Sequence, residues 1–587
     1  MIFGNRIDLL SKMKNLHLVT DASANIAEFL CGLEKNLLSA NEKQTLALAS
    51  ALLFEWVSSG SICLTKNNIE TFYEKNKETL SGIGFPDWEE IKNVLSKSSC
   101  CTQDPENEHK PLVLSDERIY FYKYWIYEES LAAKVLKLSK LPGKYMEKGL
   151  PITNVFIKLF QDPKSIEQKN AAEKVIKNRF SVITGGPGTG KTTTVAKIIA
   201  GILSVYPDER IVLAAPTGKA AARMTEALLS ENTKKSLKGF VEDDVLQKIW
   251  SLEGKTLHRI LEKNFGKPEK NRLNPVSADL VIVDEASMVD IVMFSALLDA
   301  LSVETSLILL GDKDQLASVD AGNVLADICA CRELLPEGTV SELKTSHRFD
   351  EHPGIGRLAA AVNNQKDAGE VAEICKEEHD LDFSTKTLQA ITETAKQKYS
   401  FLSDSSLEPK EILKKLNDFK ILCPSKEDSF GVANINMEIE SALAINATDA
   451  FYNGRPIMIT KNDNANTGLV NGDCGVILKR DGSTKAWFAQ NDSIRPFNIS
   501  ELPAFETVYA MTIHKSQGSE YDSVLVVLPE NDMPMLTKEL LYTAITRAKQ
   551  KVEISAKESV LEYTLKNSAA RNSGFVNALK KLKTSNE

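Results

Sequence analysis

The chain has 587 residues, of which 43% are hydrophobic, and a formal net charge of −9. That length implies roughly three or four domains, and the charge excludes a surface that binds nucleic acid everywhere while leaving room for a local basic channel. No run approaches the ~18 apolar residues of a membrane span, no basic-then-apolar leader opens the chain, and the nine scattered cysteines lack zinc spacing; these features point to a reducing cytoplasm.

Residues 1–150 carry no catalytic motif. Ile26 to Leu38 has Ile26, Phe29, Leu30, Leu33 and Leu37 on one side at helical spacing, which predicts a helix. Ile119 to Leu138 predicts a second helix, rich in Tyr120, Phe121, Tyr122, Tyr124, Trp125 and Tyr127. These rings fill the core of a small helical domain or anchor a partner on its surface. From about 165 the pattern becomes α/β. Val182–Thr184, Ile211–Ala215, Leu280–Val283 and Leu307–Leu310 read as buried parallel strands with helices between them. Residues 380–415 are polar and charged and read as a helical or loosely ordered connector. A second α/β set after about 345 has strands at Lys420–Cys423, Val508–Thr512, Val524–Leu528 and Val552–Ser555. Between 452 and 505 short strands alternate with Asn453-Gly454, Asn471-Gly472 and Asp481-Gly482, the texture of a small β-barrel insertion.

The chemistry starts at Gly185-Gly186-Pro187-Gly188-Thr189-Gly190-Lys191-Thr192, which has the P-loop form between a predicted strand and a predicted helix. Its glycines let successive N–H groups face phosphate oxygens, and the helix adds its positive end. Lys191 reaches the terminal phosphates of ATP, and the Thr192 hydroxyl takes a place on Mg²⁺. Val281–Ala286 is an apolar strand ending in Asp284 and Glu285; Asp284 is assigned to the metal and Glu285 to water activation. Leu307–Gln315 repeats the design, with Gln315 placed to sense the γ-phosphate through its amide. Arg348 and Arg547 are the remaining candidates, suited to neutralise charge on a transferring phosphoryl group if the second α/β set faces the first.

In order, these stretches read Gln168, GGPGTGKT (185–192), APTGKAAARM (215–224), TLHRIL (256–261), VDEASM (283–288), GDKDQLASVDAG (311–322), SHRF (346–349), TIHKSQGSE (512–520) and YTAITRAK (542–549). The set resembles the superfamily 1 DNA helicases of the 5′-to-3′ branch, and within it the RecD-type alpha subunits of RecBCD (exonuclease V) enzymes. GRPIMIT (454–460), Asn471-Gly-Asp473 and Arg571-Asn-Ser-Gly574 strengthen that likeness, which spans about 165–580. The resemblance implies an α/β fold with two RecA-like motor domains, at 151–345 and 346–587, behind a helical partner-docking domain at 1–150. It also implies an SH3-like insertion near 452–505. Gln168 would read adenine beside the loop residues Gly185–Thr192; Thr217, Thr256, His258, Thr512 and His514 would contact single-stranded DNA. Gly518 and Glu520 would lie where the two sites communicate, and 264–275 would form either a strand-splitting pin or a plain surface loop. The implied activity is ATP-driven 5′-to-3′ DNA unwinding on single-stranded and duplex DNA, beside RecB-like and RecC-like subunits, in repair of double-strand ends. A nucleotide switch with a structural role, or a stand-alone helicase, are the alternatives. Beyond the P-loop acids no separate acidic cluster has metal-nuclease spacing, and the resemblance implies that cleavage belongs to another subunit.

Overall fold

The computed structural model describes residues 8–35, 37–80, 84–264, 267–346, 348–349, 352–443, 449–463, 466–480, 482–490, 493–569 and 571–584. It is a mixed α/β molecule built on four main sheets. Near the N-terminus, α1 (Asp21–Leu33) and α2 (Ala40–Ser58) pack beside a small sheet of β1 (Cys63–Thr65), β2 (Cys101–Thr102), β3 (Leu112–Ser115) and β4 (Arg118–Phe121), in the order β1-β4-β3-β2. The apolar side of the first helix is inward only in part, at Leu30 and half-buried Ile26. α1 buries Ser23, Ala24, Ala27 and Leu30, while Phe29 and Leu37 are each 62% exposed and Leu33 45%. Small residues let α1 approach α2 closely, and α2 is buried along Leu46–Leu53, so the bulkier stripe is turned outward. The aromatic stretch is also divided. Arg118–Phe121 is a strand, and the helix α3 (Tyr122–Lys140) begins only at Tyr122. Tyr122, Tyr124, Trp125 and Tyr127 lie half-buried on the core beneath the next sheet, so these rings pack within the chain.

Next come α4 (Ile166–Lys177), β5 (Phe180–Gly185), α5 (Lys191–Val205), β6 (Ile211–Ala215), α6 (Gly218–Leu229), β7 (Gly254–Thr256), β8 (Leu280–Val283), β9 (Ser306–Gly311), α7 (Val324–Ala330) and β10 (Val340–Leu343). The six strands are all parallel, in the order β10-β5-β9-β8-β6-β7. β5, β8 and β9 are buried along their whole length, as strands covered by helices on both faces must be.

The second half holds α8 (Pro353–Asn363), β11 (Leu381–Ser384), β12 (Phe419–Cys423), β13 (Arg455–Ile459), β14 (Cys474–Arg480), β15 (Ser483–Gln490), β16 (Ser493–Asn498), β17 (Phe505–Thr507), β18 (Ala510–Thr512), β19 (Tyr521–Val527), α9 (Lys538–Ile545), β20 (Ala548–Ser555) and α10 (Phe575–Thr584). Five strands form a second parallel sheet, β11-β20-β19-β12-β18, and five form an antiparallel one, β16-β15-β14-β13-β17. The expected connector is therefore structured: 381–384 is an edge strand of the second parallel sheet, and Leu388–Lys398 and Pro409–Lys415 are helices. The segment 264–275 contains a two-residue strand pair, Lys263–Asn264 against Lys267–Pro268, and a turn closed by Asn271 and Asn274; residues 265 and 266 lie outside the described set, as does Asp481. Among the described residues no helix is long and apolar enough to cross a membrane.

Candidate functional site

The loop 185–190 leaves β5, a central strand of the first parallel sheet, and enters α5. Strand ends in the middle of such sheets are where ligands of parallel α/β folds collect. Gly188 and Gly190 have φ of +75° and +77°, a region open to glycine but costly for other residues. A Cβ on Gly188 would also lie 2.2 Å from the Cβ of Arg348 and 2.8 Å from the Ser346 hydroxyl oxygen, so the loop lies directly against those two residues. The Thr189 hydroxyl donates to the Gly186 carbonyl (2.8 Å), and the Ser346 hydroxyl donates to that of Pro187 (2.9 Å). Lys191 Nζ donates to the carbonyls of Gly185 (2.6 Å) and Gly186 (3.0 Å), lying across the mouth of the loop. Gln168, 4% exposed, braces the loop from behind, its Nε2 donating to the Thr189 carbonyl (3.1 Å). A cavity of about 660 Å³ opens beside the loop, lined among others by Gly185–Pro187, Asp312, Lys344, Phe349 and Tyr542.

The expected carboxylates lie on neighbouring strand ends. Asp284 and Glu285 follow β8, and Asp312 follows β9. Burial and the adjacent Glu285 push the Asp284 carboxyl up to about 6, with the Lys191 charge opposing. Asp312, 1% exposed, is raised by burial and is likewise opposed by Lys191. Glu285 is a non-glycine residue at φ +50°, a strained backbone of the kind that collects at functional sites. The Asp312 carboxylate accepts from Gln315 Nε2 (3.1 Å) and from the Tyr542 hydroxyl (3.0 Å). Gln315 is thus turned onto Asp312, and Tyr542, a residue not singled out from sequence, reaches the same oxygen from the second half of the chain. The Thr192 hydroxyl and the Asp284 carboxylate are oxygen donors suited to a hard divalent cation, and the cradle at Gly188 has no room for a side chain. The residues present fit a nucleotide with Mg²⁺.

Arg348 and Arg547 both come to this cleft. Arg547, 4% exposed, donates from Nε to the Thr543 carbonyl (3.1 Å) and from Nη1 to that of Ser519 (3.3 Å). Burial disfavours its charge, while the nearby acids Glu285 and Glu520 favour it. Arg348 pairs with Glu520 through Nη2, and its Nη1 is buried without a partner. Burial raises the Glu520 carboxyl, but Arg348, Arg223 and Arg547 outweigh it and hold the group near 2. The halves are also joined by Leu316 N donating to Thr543 Oγ1 (3.0 Å) and Gln517 Nε2 donating to the Leu316 carbonyl (3.2 Å).

The nucleic-acid candidates lie away from the loop, at the far edges of the two parallel sheets. Thr217 caps α6, its hydroxyl oxygen accepting from Ala220 N (3.2 Å), and Thr256 ends β7 and accepts from Arg259 N (3.2 Å). β6 and β7 pair Ala215 with Thr256, which brings these two threonines to one corner. Thr512 ends β18, the edge strand of the second parallel sheet, and accepts from Lys515 N (3.4 Å). His258 is exposed, whereas burial and the nearby Arg571 lower the pKa of half-buried His514. Gly518, at φ +67°, passes over Ala220 of α6. The motif cations do not all face solvent. Lys219 donates to the Gly472 carbonyl (3.2 Å) and its pKa is lowered by burial, because the turn 470–473 of the antiparallel sheet covers the start of α6. Lys515 pairs with Glu506 (2.6 Å), and Arg259 is exposed.

Comparison with known proteins follows the same division of the chain. A family model described as the RecBCD enzyme subunit RecD, N-terminal domain, matches residues 15–120. An AAA domain model matches 168–321, and a UvrD-like helicase C-terminal domain model matches 507–554. The RecBCD enzyme subunit RecD of Mycolicibacterium smegmatis is 34% identical, over 92% of this chain and 94% of that one. Its counterpart in Haemophilus influenzae is 30% identical, over 98% and 100%. The ATP-dependent RecD2 DNA helicase of Deinococcus radiodurans is 28% identical, over 66% of this chain and 48% of that one. With relatives above 30% identity along nearly its whole length, the chain belongs to the family of RecBCD enzyme RecD subunits.

Proposed function

We propose that this protein is an ATP-driven 5′-to-3′ DNA helicase, the RecD-type subunit of a helicase–nuclease that processes double-strand DNA ends beside RecB-like and RecC-like partners. One observation carries the reading. The Tyr542 hydroxyl of the second half donates to buried Asp312 of the first (3.0 Å), which brings the segment carrying buried Arg547 to the strand ends that carry the acids. A site split in this way turns over only when its halves meet, which is how hydrolysis is coupled to movement.

When bound, ATP with Mg²⁺ supplies the phosphoanhydride whose hydrolysis drives the cycle. Lys191 exchanges its two loop carbonyls for phosphate oxygens, joined by the loop amides and the N-terminus of α5. Thr192 and Asp284 would hold the cation, and Glu285 would take the proton of the attacking water. Arg547 and Arg348 neutralise charge on the γ-oxygens, and Gln315 with Tyr542 relays the state of Asp312 across the cleft. Gln168, Gly185–Gly190 and Gly518 complete the nucleotide surroundings; Thr217, Thr256, His258, Thr512 and His514 contact the strand.

The domain reading is a partner-docking region at 1–150, in which helices pack beside a four-stranded sheet where a helical unit was expected, and RecA-like motors at 151–345 and 346–587, with the antiparallel sheet near 452–505 as an SH3-like insertion and 264–275 as the pin. The outward Phe29, Leu33 and Leu37 support docking by the first region. The test is ATP turnover by the purified chain with and without single-stranded DNA, then unwinding of duplexes with a 5′ or a 3′ tail. The expected result is DNA-stimulated turnover and unwinding from the 5′ tail alone, both silent in Lys191→Gln. Turnover indifferent to DNA, in the chain and in its complex, would leave a nucleotide switch instead.

A further inference from the structure

The stretch Arg571-Asn-Ser-Gly574 has no part in the chemistry above, yet it is held as tightly as any loop in the molecule. After α9 and β20 in the second half, the chain returns to the first half as a strap. There Arg571 Nη1 donates to the Asp320 carbonyl (2.7 Å), the Gly322 carbonyl (2.9 Å) and Ser318 Oγ (3.2 Å), and Nη2 donates to the Ser318 carbonyl. A planar fork inside a collar of backbone oxygens fixes the shape of that loop, which a flexible ammonium does less well. Below, the guanidinium rests on Gly60, whose φ is +98° and where a Cβ would lie 2.5 Å from the Arg571 Cζ. Neighbouring bonds close the junction: Gly322 N donates to the Gly60 carbonyl (2.8 Å), Ile62 N to that of Asn572 (2.9 Å), and Gly574 N to Glu128 Oε1 (2.6 Å).

The collar is the far end of the loop that begins at Asp312 and Gln315. Its near end bonds Tyr542, Thr543 and Gln517 across the nucleotide cleft. Gln517, in the 512–518 segment, bonds that loop at the Leu316 carbonyl (3.2 Å), so the loop that Arg571 holds is tied directly to the segment of a proposed strand contact.

We infer that Arg571 is a positioning residue that couples the two sites, holding 316–322 so that strand binding at the 512–518 segment is felt at Gln315 and Asp312. The inference rests on the reading of this chain as a DNA-stimulated ATPase. It adds a third participant, the turn Gly60–Ile62, through which anything bound to the N-terminal region can bias the same loop.

The test uses the full chain, with Arg571→Ala, Arg571→Lys and Gly60→Ala beside the parent. ATP turnover is measured against single-stranded DNA concentration, with thermal midpoints alongside. Arg571→Ala is expected to keep the DNA-free rate and the KM for ATP within about twofold. Its DNA-stimulated kcat should fall about tenfold, with the half-saturating DNA concentration little changed, the pattern of an interaction used in turnover and not in ground-state binding. Arg571→Lys should recover part of that loss, and Gly60→Ala, which displaces the guanidinium from the other side, should reproduce it. Three outcomes overturn the inference: full stimulation in both displaced variants; a loss confined to DNA affinity, which would make Arg571 a strand contact; and equal loss of basal and stimulated rates with a lowered midpoint, which would make it structural only. A parent chain whose turnover DNA does not change, alone or in its complex, would instead remove the function on which the inference stands.

Discussion

The two parallel sheets are built alike and equipped differently. The six-stranded sheet has a glycine loop, a lysine and three carboxylates at its strand ends. The five-stranded sheet has no such loop among its described residues; α9 and the turns beside β19 carry Arg547, Tyr542 and Glu520. The charges are sorted accordingly. Burial raises the Asp284 and Asp312 carboxyls of the first sheet, while three arginines hold Glu520 low and ionised. Neither half alone combines a phosphate cradle with the cations that neutralise a transferring phosphoryl group. Repeating one architecture has thus divided one active site in two, and the division ties catalysis to the distance between halves.

The strongest way to break this comparison is to remove what the second sheet lends the first. Arg547→Ala is expected to lower kcat for ATP by about 10³-fold, the magnitude of an arginine acting on a phosphoryl transition state, while ATP still binds. Rapid-quench turnover with a fluorescent-nucleotide titration reads both, and a parallel loss of binding would make Arg547 a structural residue. Tyr542→Phe removes one hydrogen bond to buried Asp312 from across the cleft. Stimulated turnover should fall about tenfold, or roughly 1.4 kcal/mol, with the fold intact by circular dichroism.

Acid sharpens the contrast further. Glu520 is held near 2, against an ordinary value of 4.5. A depressed carboxylate contributes stability that is complete above its unfolded value and lost as pH falls through the folded one. The thermal midpoints of the parent and Glu520→Gln should therefore differ at pH 7 and converge between about 4.5 and 2; a gap that is constant with pH would contradict the ion-pair account. The smallest effect on stability is expected at the outward helix face. Phe29→Ser or Leu33→Ser should change the unfolding free energy of the isolated chain by less than about 0.5 kcal/mol. Co-purification with the large subunits should nonetheless weaken, and undiminished assembly would assign docking elsewhere.

What the sequence made legible follows from what is local. The phosphate loop, the acids after β8 and the buried strands are patterns a few residues long, and their chemistry needs no distant partner to be recognised. The turned helix shows the limit: spacing places Phe29, Leu33 and Leu37 on one side, but only the small residues opposite decide which side meets α2. Lys219 reads as a cation for a phosphate backbone, yet the turn that covers it comes 253 positions later. Tyr542 had no local signal, since its partner Asp312 lies 230 positions away. Arg348 was foreseen as a phosphoryl cation, but its pairing with Glu520 depends on how two halves meet.

The stitch between Asn572 and the turn at Ser61–Ile62 joins positions 511 apart. On a ribosome extending at roughly 5–20 residues per second, about 25–100 s separate the emergence of the two. For that interval the glycine turn has no guanidinium above it, and the Ile62 amide and the Glu128 carboxylate await backbone groups not yet made. The N-terminal region is therefore among the first parts synthesised and among the last completed, and a nascent chain stalled before residue 571 offers its assembly partners an unfinished face.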